Sequence, residues 1–376
     1  MYIIYLVFII KIIIVLIQTI YVLPGTTFDV DNFHLAAVEF SDYIESNKPL
    51  SEYNYKHGWI YSVFIGFVYS ILGTSKIIGG LLSVLTWLLS AVVLRKVLLL
   101  FKLNDYKINL SLLSYVFLFP ISSYYTTLML REVYILLFIN LFFLSIVKMS
   151  LREKNITKIF YFLLFILTII LLYHFHQANS YFLIIYLSFG LIFFTFKCLK
   201  KIITIFEIPR IIWAFLLITI SMLFYNHEIF EYIFDTMVNY QIGHFNRNII
   251  FRADYFFIQD RVNLDYSFLT FLKVMYGNIF NYLLQPTPLN VKTFKDLILF
   301  TENLIRFLIY IYIIFNLFKS FQMKNIYIFG FAILVIMETI YASGTVNWGA
   351  ASRHHVPIQG MLIFLMFFPK KKISIY

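Results

Sequence analysis

The chain has 376 residues, of which 61% are hydrophobic and only 13% are charged. Soluble domains carry about 25% charged residues, so this composition excludes an ordinary soluble protein of this length. The net charge of +11 does not indicate a nucleic-acid partner, because the basic residues form short clusters between long apolar stretches. The one cysteine, Cys198, excludes an intramolecular disulfide and a metal site built on cysteines.

Apolar stretches long enough to cross a bilayer predict ten membrane-spanning helices. The first follows Met1 without the basic start and cleavage site of a signal peptide, so we expect it to be retained. The expected fold class is an all-α polytopic membrane protein whose one domain, residues 1–376, has two large outer loops carrying surface or re-entrant helices. The predicted spans are 2–23, 77–95, 109–127, 133–149, 159–175, 180–197, 210–226, 302–319, 326–343 and 355–369.

The distribution of lysine and arginine orients these spans, because basic residues are retained in short cytoplasmic loops. The four loops and the tail assigned to the cytoplasm hold 17 basic and 3 acidic residues, whereas the other side holds 12 basic and 16 acidic ones. Both termini are then expected in the cytoplasm. The long segments 24–76 and 227–301 are expected outside. All eight histidines of the chain, inside and beyond these segments, are also expected on the outer side. Lys11 is the only clear charge in the middle of a predicted span.

Two apolar stretches are assigned to the outer surface. Residues 58–73 are apolar enough to cross, but a crossing there would turn all five later basic clusters outward. We therefore expect a helix that lies on the outer surface or re-enters from it. The same interpretation applies to residues 266–284, which contain Lys273 and Asn278.

The first outer segment opens with two aspartates, Asp29 and Asp31, at the start of an apolar pattern of helical period, and His34 follows. One aspartate at such a place commonly caps a helix N-terminus. The second is not needed for capping, and a carboxylate beside apolar helices suits a general base or a ligand of a divalent cation. Asp31, Asp29 and His34 are therefore the catalytic candidates, with helix capping as the alternative.

Charged residues recur at the other predicted outer turns, and each set also has a plainer interpretation. Arg131 and Glu132 could neutralise each other, and the arginines of the second long segment could belong to a solvated loop. Arginine is, however, suited to binding phosphate bidentately, and charge beside hydrocarbon is costly. Glu338 is the counter-ion that we expect for Arg353. The substrate-binding candidates are Arg131, Glu132, Arg247, Arg252, Arg261, Trp348, Arg353 and His354.

The sequence gives little support for a metal-binding site or a nucleotide-binding site. His174 and His176 end a predicted span and would point about 200° apart on a helix, so joint metal ligation is not expected. The sequence contains no Gly-rich phosphate loop, zinc-protease motif or nucleophile elbow. No metal site is therefore assigned.

Residues 1–150 resemble the N-terminal module of the polyprenyl-dependent membrane glycosyltransferases with the GT-C fold. The shared order is a span, an acidic pair opening a surface helix, the aromatic stretch 53–59, a second surface helix, and residues 73–76 before the next span. In that family an acidic residue of the first outer loop is the catalytic base or a metal ligand. Asp31 matches that position best and Asp29 next, although Asn32 departs from the family's usual acidic pair. A basic residue near a late span holds the lipid phosphate there, and Arg353 corresponds to it.

The overall build is similar to the Wzy-type repeat-unit polymerases, which make O-antigen and capsule chains. That resemblance implies an enzyme of the bacterial inner (plasma) membrane that polymerises undecaprenyl-linked oligosaccharides. Its expected partners are the lipid bilayer, a flippase and a chain-length regulator of the same pathway. No cofactor is certain, and a divalent cation is left open.

Three other functions remain as alternatives. A GT-C transferase could add a single sugar from a polyprenyl-phosphate donor, but no soluble outer domain follows the last predicted span, which favours a polymerase. A transporter or flippase of lipid-linked sugars would be expected to show internal repeats and mid-bilayer charges. A structural membrane subunit would give no reason for acids and histidines to cluster outside.

The proposed orientation predicts that Asp31 and Arg353 lie on the same outer face. Single-cysteine variants at these two positions, made after Cys198→Ser, should both react with a membrane-impermeant thiol reagent in intact cells. Labelling of the two positions from opposite faces would overturn both the orientation and the mechanism.

Overall fold

The computed structural model describes residues 2–21, 28–49, 59–150, 155–176, 268–318, 324–343 and 348–369, with a few isolated positions between them. The regular structure within these ranges is helical, and they contain no strand. The helices are α1 (Tyr2–Ile20), α2 (Phe28–Glu45), α3 (Trp59–Leu72), α4 (Lys76–Leu100), α5 (Asp105–Phe117), α6 (Pro120–Tyr125), α7 (Glu132–Ser150), α8 (Asn155–Phe175), α9 (Phe268–Leu284), α10 (Phe294–Leu317), α11 (Lys324–Ser343), α12 (Trp348–His354) and α13 (Gln359–Phe367).

The chain divides into two compact units. The first comprises Met1–Ser180, Leu283–Glu338 and Trp348–Tyr376, and the second comprises Tyr181–Tyr282 and Thr339–Asn347. All side-chain contacts described below lie within the first unit. In the second unit the described helical segments are most of α9 and the end of α11.

Within the described ranges, five helices are long and apolar enough to cross a membrane, which is compatible with a multi-pass membrane protein. They are α4, α7, α8, α10 and the Ile326–Ser343 part of α11. These helices coincide with five of the ten predicted spans, and α1 coincides with the first. The predicted spans 180–197 and 210–226 lie outside the described residues. The orientation of the helices in a membrane stays a prediction.

The predicted span 109–127 is not one helix. α5 ends at Phe117 and α6 begins at Pro120, so the helix breaks between them. Proline has no N–H group and disfavours helical geometry in the residue before it, and Phe119 has φ −128° and ψ 72°. One continuous helix over this span is therefore wrong, because Pro120 interrupts it, and whether the segment crosses a membrane stays a prediction.

The predicted last span, 355–369, is also interrupted. α12 ends at His354, a 3-10 turn Val356–Ile358 follows, and α13 begins at Gln359. With nine residues, α13 is much shorter than the about 20 residues that a crossing helix needs. The segment is nevertheless buried almost throughout, so it lies inside the helical bundle of the first unit.

α7 is the central helix of the first unit, because 14 of its 19 residues are buried. It packs against α4, α8 and the Val356–Ile358 turn. Phe142 stacks on Phe165 of α8 with ring centroids 5.0 Å apart, and Phe143 meets Phe364 of α13 at 4.7 Å. Aromatic pairs at such distances add to the stabilisation that comes from burying apolar area.

α2 and α3 pack closely against each other. A Cβ atom added at Gly66 of α3 would lie 2.6 Å from the carbonyl oxygen of Ala37, so only glycine allows this approach. Phe33 also meets Tyr61 edge-on, with ring centroids 5.0 Å apart.

α3 has 14 residues, fewer than the about 20 that a crossing needs. A helix therefore covers residues 58–73 as expected, and its position relative to a membrane stays a prediction.

α9 occupies the other stretch that was assigned to the outer surface, residues 266–284. It runs over 17 residues. Its position relative to a membrane likewise stays a prediction.

Polar side chains join α4, α5, α7 and α13 in the core. Asn140 of α7 donates to the Ser90 hydroxyl at 2.7 Å, and Tyr115 of α5 donates to the same hydroxyl at 3.2 Å. Gln359 of α13 donates to the carbonyl oxygen of Tyr115 at 2.7 Å. Gly360 lies against Asn140, where an added Cβ atom would come within 2.6 Å of the amide nitrogen.

Gly360→Ala should lower the melting temperature of the purified protein. The new methyl group would collide with the Asn140 amide, which Ser90 holds in place, and overpacking typically costs about 1–3 kcal/mol. Gly330→Ala is the matched control, because its nearest neighbour is the flexible thioether of Met361 at 3.1 Å. Thermal unfolding in detergent should separate the two variants, and equal melting temperatures would contradict the close approach of α7 and α13.

Candidate functional site

Arg353 is the centre of a cluster of charged side chains drawn from three distant parts of the sequence. Its Nε atom lies 3.1 Å from Oε1 of Glu132, and its Nη1 atom donates to Oδ2 of Asp29. The Arg353 side chain is 11% exposed and that of Glu132 is 2% exposed, whereas Asp29 is 44% exposed. We call Asp29, Glu132 and Arg353 the Arg353 cluster.

The local helices explain why these three residues can meet. Asp29 and Glu132 lie in the first turns of α2 and α7, and Arg353 lies in the last turn of α12. Carboxylates are favourable near the positive end of a helix dipole and cations near the negative end. The cluster therefore joins two helix starts to one helix end.

The electrostatic balance keeps the Arg353 guanidinium charged. Burial on its own disfavours the charged form, but attraction to Glu132 and then Asp29 outweighs burial and raises the pKa of Arg353 above its usual range. A permanently charged group in a water-poor setting interacts strongly with whichever anion reaches it.

Two imidazoles lie beside this cluster. Nε2 of His354 is 3.5 Å from Nη2 of Arg353, and the ring of His176 lies perpendicular to that of His354 with centroids 6.5 Å apart. Burial lowers the pKa of both histidines well below its ordinary value, and the positive charges of Arg353 and Arg131 lower it further. Both rings are therefore neutral near pH 7. His174 is exposed, as the expected divergence from His176 requires.

Arg131 precedes α7 and is half-buried. Its guanidinium carbon lies 5.6 Å from the centroid of the Phe33 ring. Its Nε atom is buried without a hydrogen-bond partner, and Arg131 forms no ion pair with a carboxylate in the part of the chain that the structure describes. The alternative that Arg131 and Glu132 neutralise each other is therefore wrong, because Glu132 pairs with Arg353.

Asp31 and His34 contact partners outside the Arg353 cluster. Oδ1 of Asp31 lies 2.6 Å from Nζ of Lys76, and both side chains are more than half exposed. Exposed pairs of this kind contribute little to stability. Nδ1 of His34 lies 3.0 Å from the hydroxyl of Tyr69. Burial, with Lys76 next, lowers the pKa of His34.

The other candidates fall in several places. Trp348 is buried at the start of α12, five residues before Arg353. Glu338 is not the counter-ion of Arg353, because it contacts Nδ1 of His355 at 3.0 Å and accepts from the hydroxyl of Tyr310. Arg247, Arg252 and Arg261 lie outside the described residues.

Sequence reasoning missed a buried ion pair on α10. Glu302 accepts from the backbone N–H groups of Ile121 and Ser122, at 2.8 and 3.3 Å, and therefore caps α6. Nη2 of Arg306 donates to Glu302 at 3.0 Å, and Nη1 donates to Oδ1 of Asn303 at 2.5 Å. The hydroxyl of Ser122 also donates to Glu302 and lies 3.1 Å from the carbonyl oxygen of Ser352, next to Arg353.

Two sequence signals pointed to this network. Glu302 and Arg306 have the i, i+4 spacing of a helical ion pair, and Thr293 with Asp296 has the spacing of a capping box. α10 therefore begins at Phe294, eight residues before the predicted span. Glu302 and Arg306 were counted as outer charges, whereas the structure buries both within this candidate span.

Lys11 is likewise buried and paired. Its ammonium group lies 2.6 Å from the carbonyl oxygen of Ser123 and 2.8 Å from each hydroxyl oxygen of Ser123 and Thr126. It also lies 4.7 Å from the centre of a Trp87 ring. Three acceptors satisfy the three donors of the ammonium group, which indicates a structural role.

The arrangement around Arg353 can hold an anion and accept a proton. Two guanidinium groups suit phosphate oxygens, and Asp29 is exposed enough to reach a hydroxyl group of a ligand. Within the described ranges, no three acidic, histidine or cysteine side chains converge as metal ligands. No family model matches this chain, and neither the curated proteins nor the solved structures contain a match.

Arg306→Met should destabilise the protein strongly, because it leaves the Glu302 carboxylate buried without its cation. Breaking such a pair typically costs about 3–5 kcal/mol. The double variant Glu302→Gln with Arg306→Met removes both charges and should recover part of the loss. Thermal unfolding in detergent measures both effects, and a double variant less stable than Arg306→Met would contradict the pairing.

Proposed function

We propose that this protein is a membrane glycosyltransferase that acts on polyprenyl-diphosphate-linked oligosaccharides and joins them into surface polysaccharide. The observation that carries the proposal is the convergence of Asp29, Glu132 and Arg353, with Arg131 directly before Glu132. Such a site offers guanidinium groups for a diphosphate and a carboxylate for a hydroxyl proton. Both groups are needed when one lipid-linked sugar is transferred to another.

In the proposed reaction, a hydroxyl oxygen of the acceptor sugar attacks the anomeric carbon of the donor sugar. The new C–O bond forms as the bond from that carbon to the diphosphate breaks, and the bonding electrons leave with the polyprenyl diphosphate. Arg353 and Arg131 stabilise the charge that develops on the leaving group. The hydroxyl proton passes to a nearby carboxylate, so atoms and charge balance without a redox partner.

Asp29 is the carboxylate that the geometry favours as the base. It touches Arg353 and would therefore lie beside a bound diphosphate, whereas Asp31 is paired with Lys76 on an exposed surface. Asp31 was the first choice on sequence grounds, because it matches the acidic position of the GT-C enzymes best. In the proposed reaction, Asp29 replaces Asp31 as the base, and no step is assigned to Asp31 or His34.

A divalent cation fits this arrangement poorly. The carboxylates of Asp29 and Glu132 both contact the Arg353 guanidinium. The described residues bring no third acidic or imidazole ligand to them. The proposed mechanism therefore assigns no step to a metal.

A transporter of lipid-linked sugars is the second candidate, and the buried charges of α1 and α10 are the observation that favours it. If they lie within the membrane, the buried charges of Lys11, Glu302 and Arg306 are of the kind that mark transport pathways. Each is nevertheless held by several hydrogen bonds within the protein, which favours a structural role. A transporter would move the glycan without lengthening it, and a single-sugar transferase would add one residue.

Asp29→Asn should abolish chain extension, because removing a general base typically lowers a rate by about 10²–10⁴-fold. The glycans made by cells that carry only the variant should be single repeat units, as seen by gel electrophoresis of extracted lipid-linked sugars.

Asp42→Asn is the matched control, because it removes the same charge from an exposed position of the same helix. Its cells should make chains of normal length. Full-length polymer from Asp29→Asn, together with single units from Asp31→Asn, would reverse the assignment of the base.

A further inference from the structure

Four charged side chains in and beside the Arg353 cluster carry no net charge together. The guanidinium groups of Arg131 and Arg353, which both act on the imidazoles of His176 and His354, are matched by the carboxylates of Glu132 and Asp29. These imidazoles are neutral near pH 7 and add no positive charge. Among these described side chains, a diphosphate would therefore meet no net positive charge while both carboxylates stay in place.

The carboxylates of Asp29 and Glu132 differ in how readily each could move away from Arg353. Glu132 is 2% exposed and lies in the first turn of α7, of which 14 of 19 residues are buried. Asp29 is 44% exposed and holds a different nitrogen of the same guanidinium. Asp29 can turn toward water and regain hydration as its ion pair with Arg353 breaks, whereas the buried Glu132 has no such route.

Arg131 provides a second donor group that is ready for an anion. Its guanidinium carbon lies 5.6 Å from the centroid of the Phe33 ring, and its buried Nε atom has no acceptor among the described residues. A buried donor without a partner is costly, and a phosphate oxygen would supply the missing acceptor. Arg131 therefore gains a contact on ligand binding without first having to break one of its own.

We propose that Asp29 occupies the anion position of Arg353 in the unliganded protein and that a diphosphate group displaces it from there. With Asp29 displaced, the two guanidinium groups of Arg131 and Arg353 and the carboxylate of Glu132 have a net charge of about +1, which favours binding of an anion. Asp29 thus acts as an internal competitor for the site that it borders. This inference rests on the proposed function, since the diphosphate is that of the lipid-linked substrate.

The exchange would couple binding to proton transfer. A carboxylate held by a guanidinium is a weak base, because protonating it breaks the ion pair. The same carboxylate becomes a better base once a diphosphate has taken over the guanidinium. Asp29 would then accept a proton only when a donor is bound, and the empty site would stay inactive.

Binding of inorganic pyrophosphate to the full-length protein in detergent tests the exchange. Calorimetry should show that Asp29→Asn binds pyrophosphate about tenfold more tightly than the wild type, which corresponds to about 1.4 kcal/mol. Asp42→Asn controls for the lost charge and should change the affinity by less than about twofold. Arg353→Gln should weaken binding. Unchanged or weaker binding by Asp29→Asn would overturn the proposal.

A second measurement uses the wild-type protein and so does not depend on any variant folding. Carbodiimide coupling of an amine to exposed carboxylates, followed by mass spectrometry, should label Asp29 more when pyrophosphate is present. Asp42 serves as the internal reference, because it lies on the same helix away from the cluster. A constant or smaller ratio of Asp29 to Asp42 labelling would count against the displacement.

Farnesyl diphosphate distinguishes a lipid-linked ligand from a free phosphate compound. Tighter binding of farnesyl diphosphate than of pyrophosphate to Asp29→Asn indicates the lipid-linked source, and equal binding indicates recognition of the diphosphate alone. Both results support displacement of Asp29, provided that the variant binds more tightly than the wild type.

The two proposals can fail separately. If Asp29→Asn stops chain extension without binding pyrophosphate more tightly, the exchange is wrong and the role as a base stands. If this variant binds more tightly while full-length polymer is still made, the exchange stands and the role as a base is wrong.

Discussion

The interaction on which the candidate site depends is the burial of a positive charge between two carboxylates. A guanidinium inside an apolar helical protein is costly unless it is paired, so Arg353 constrains everything around it. Its two partners come from helix starts more than 100 residues apart in the sequence. The first turns of α2 and α7 must therefore remain beside the last turn of α12. Because a buried arginine must stay paired, Arg353 constrains the relative positions of α2, α7 and α12.

A second buried ion pair, between Glu302 and Arg306 of α10, helps to fix the segments next to Arg353. Glu302 caps the short helix α6, which exists because Pro120 interrupts the preceding helix. The hydroxyl of Ser122 then lies near the carbonyl oxygen of Ser352, the residue before Arg353. Broken helices inside a membrane protein leave backbone groups that need partners, and here side chains of α10 supply them. These hydrogen bonds thus hold the interrupted helices α6 and α12, and with them Arg353, in fixed positions.

The cluster also suggests why its members are not arranged as a permanently open anion site. In the proposed exchange, the two carboxylates would keep the guanidinium neutralised until a stronger anion arrives, which would limit the binding of unrelated phosphates. The carboxylate of Glu132 is buried, whereas that of Asp29 is partly exposed. This asymmetry follows from helix position, because α7 is the central helix of the unit and α2 is held mainly against α3.

The sequence by itself determined the helical class, the main apolar helices and the candidate residues around Arg353. Those features follow from local composition, since about 20 apolar residues suffice to mark a spanning helix. It could not determine which carboxylate meets which cation. Asp31 looked the better base, but Asp29 faces Arg353 and Asp31 faces Lys76, because residues two apart on a helix point in different directions. Pairing is decided by packing between distant segments, which only the tertiary structure specifies.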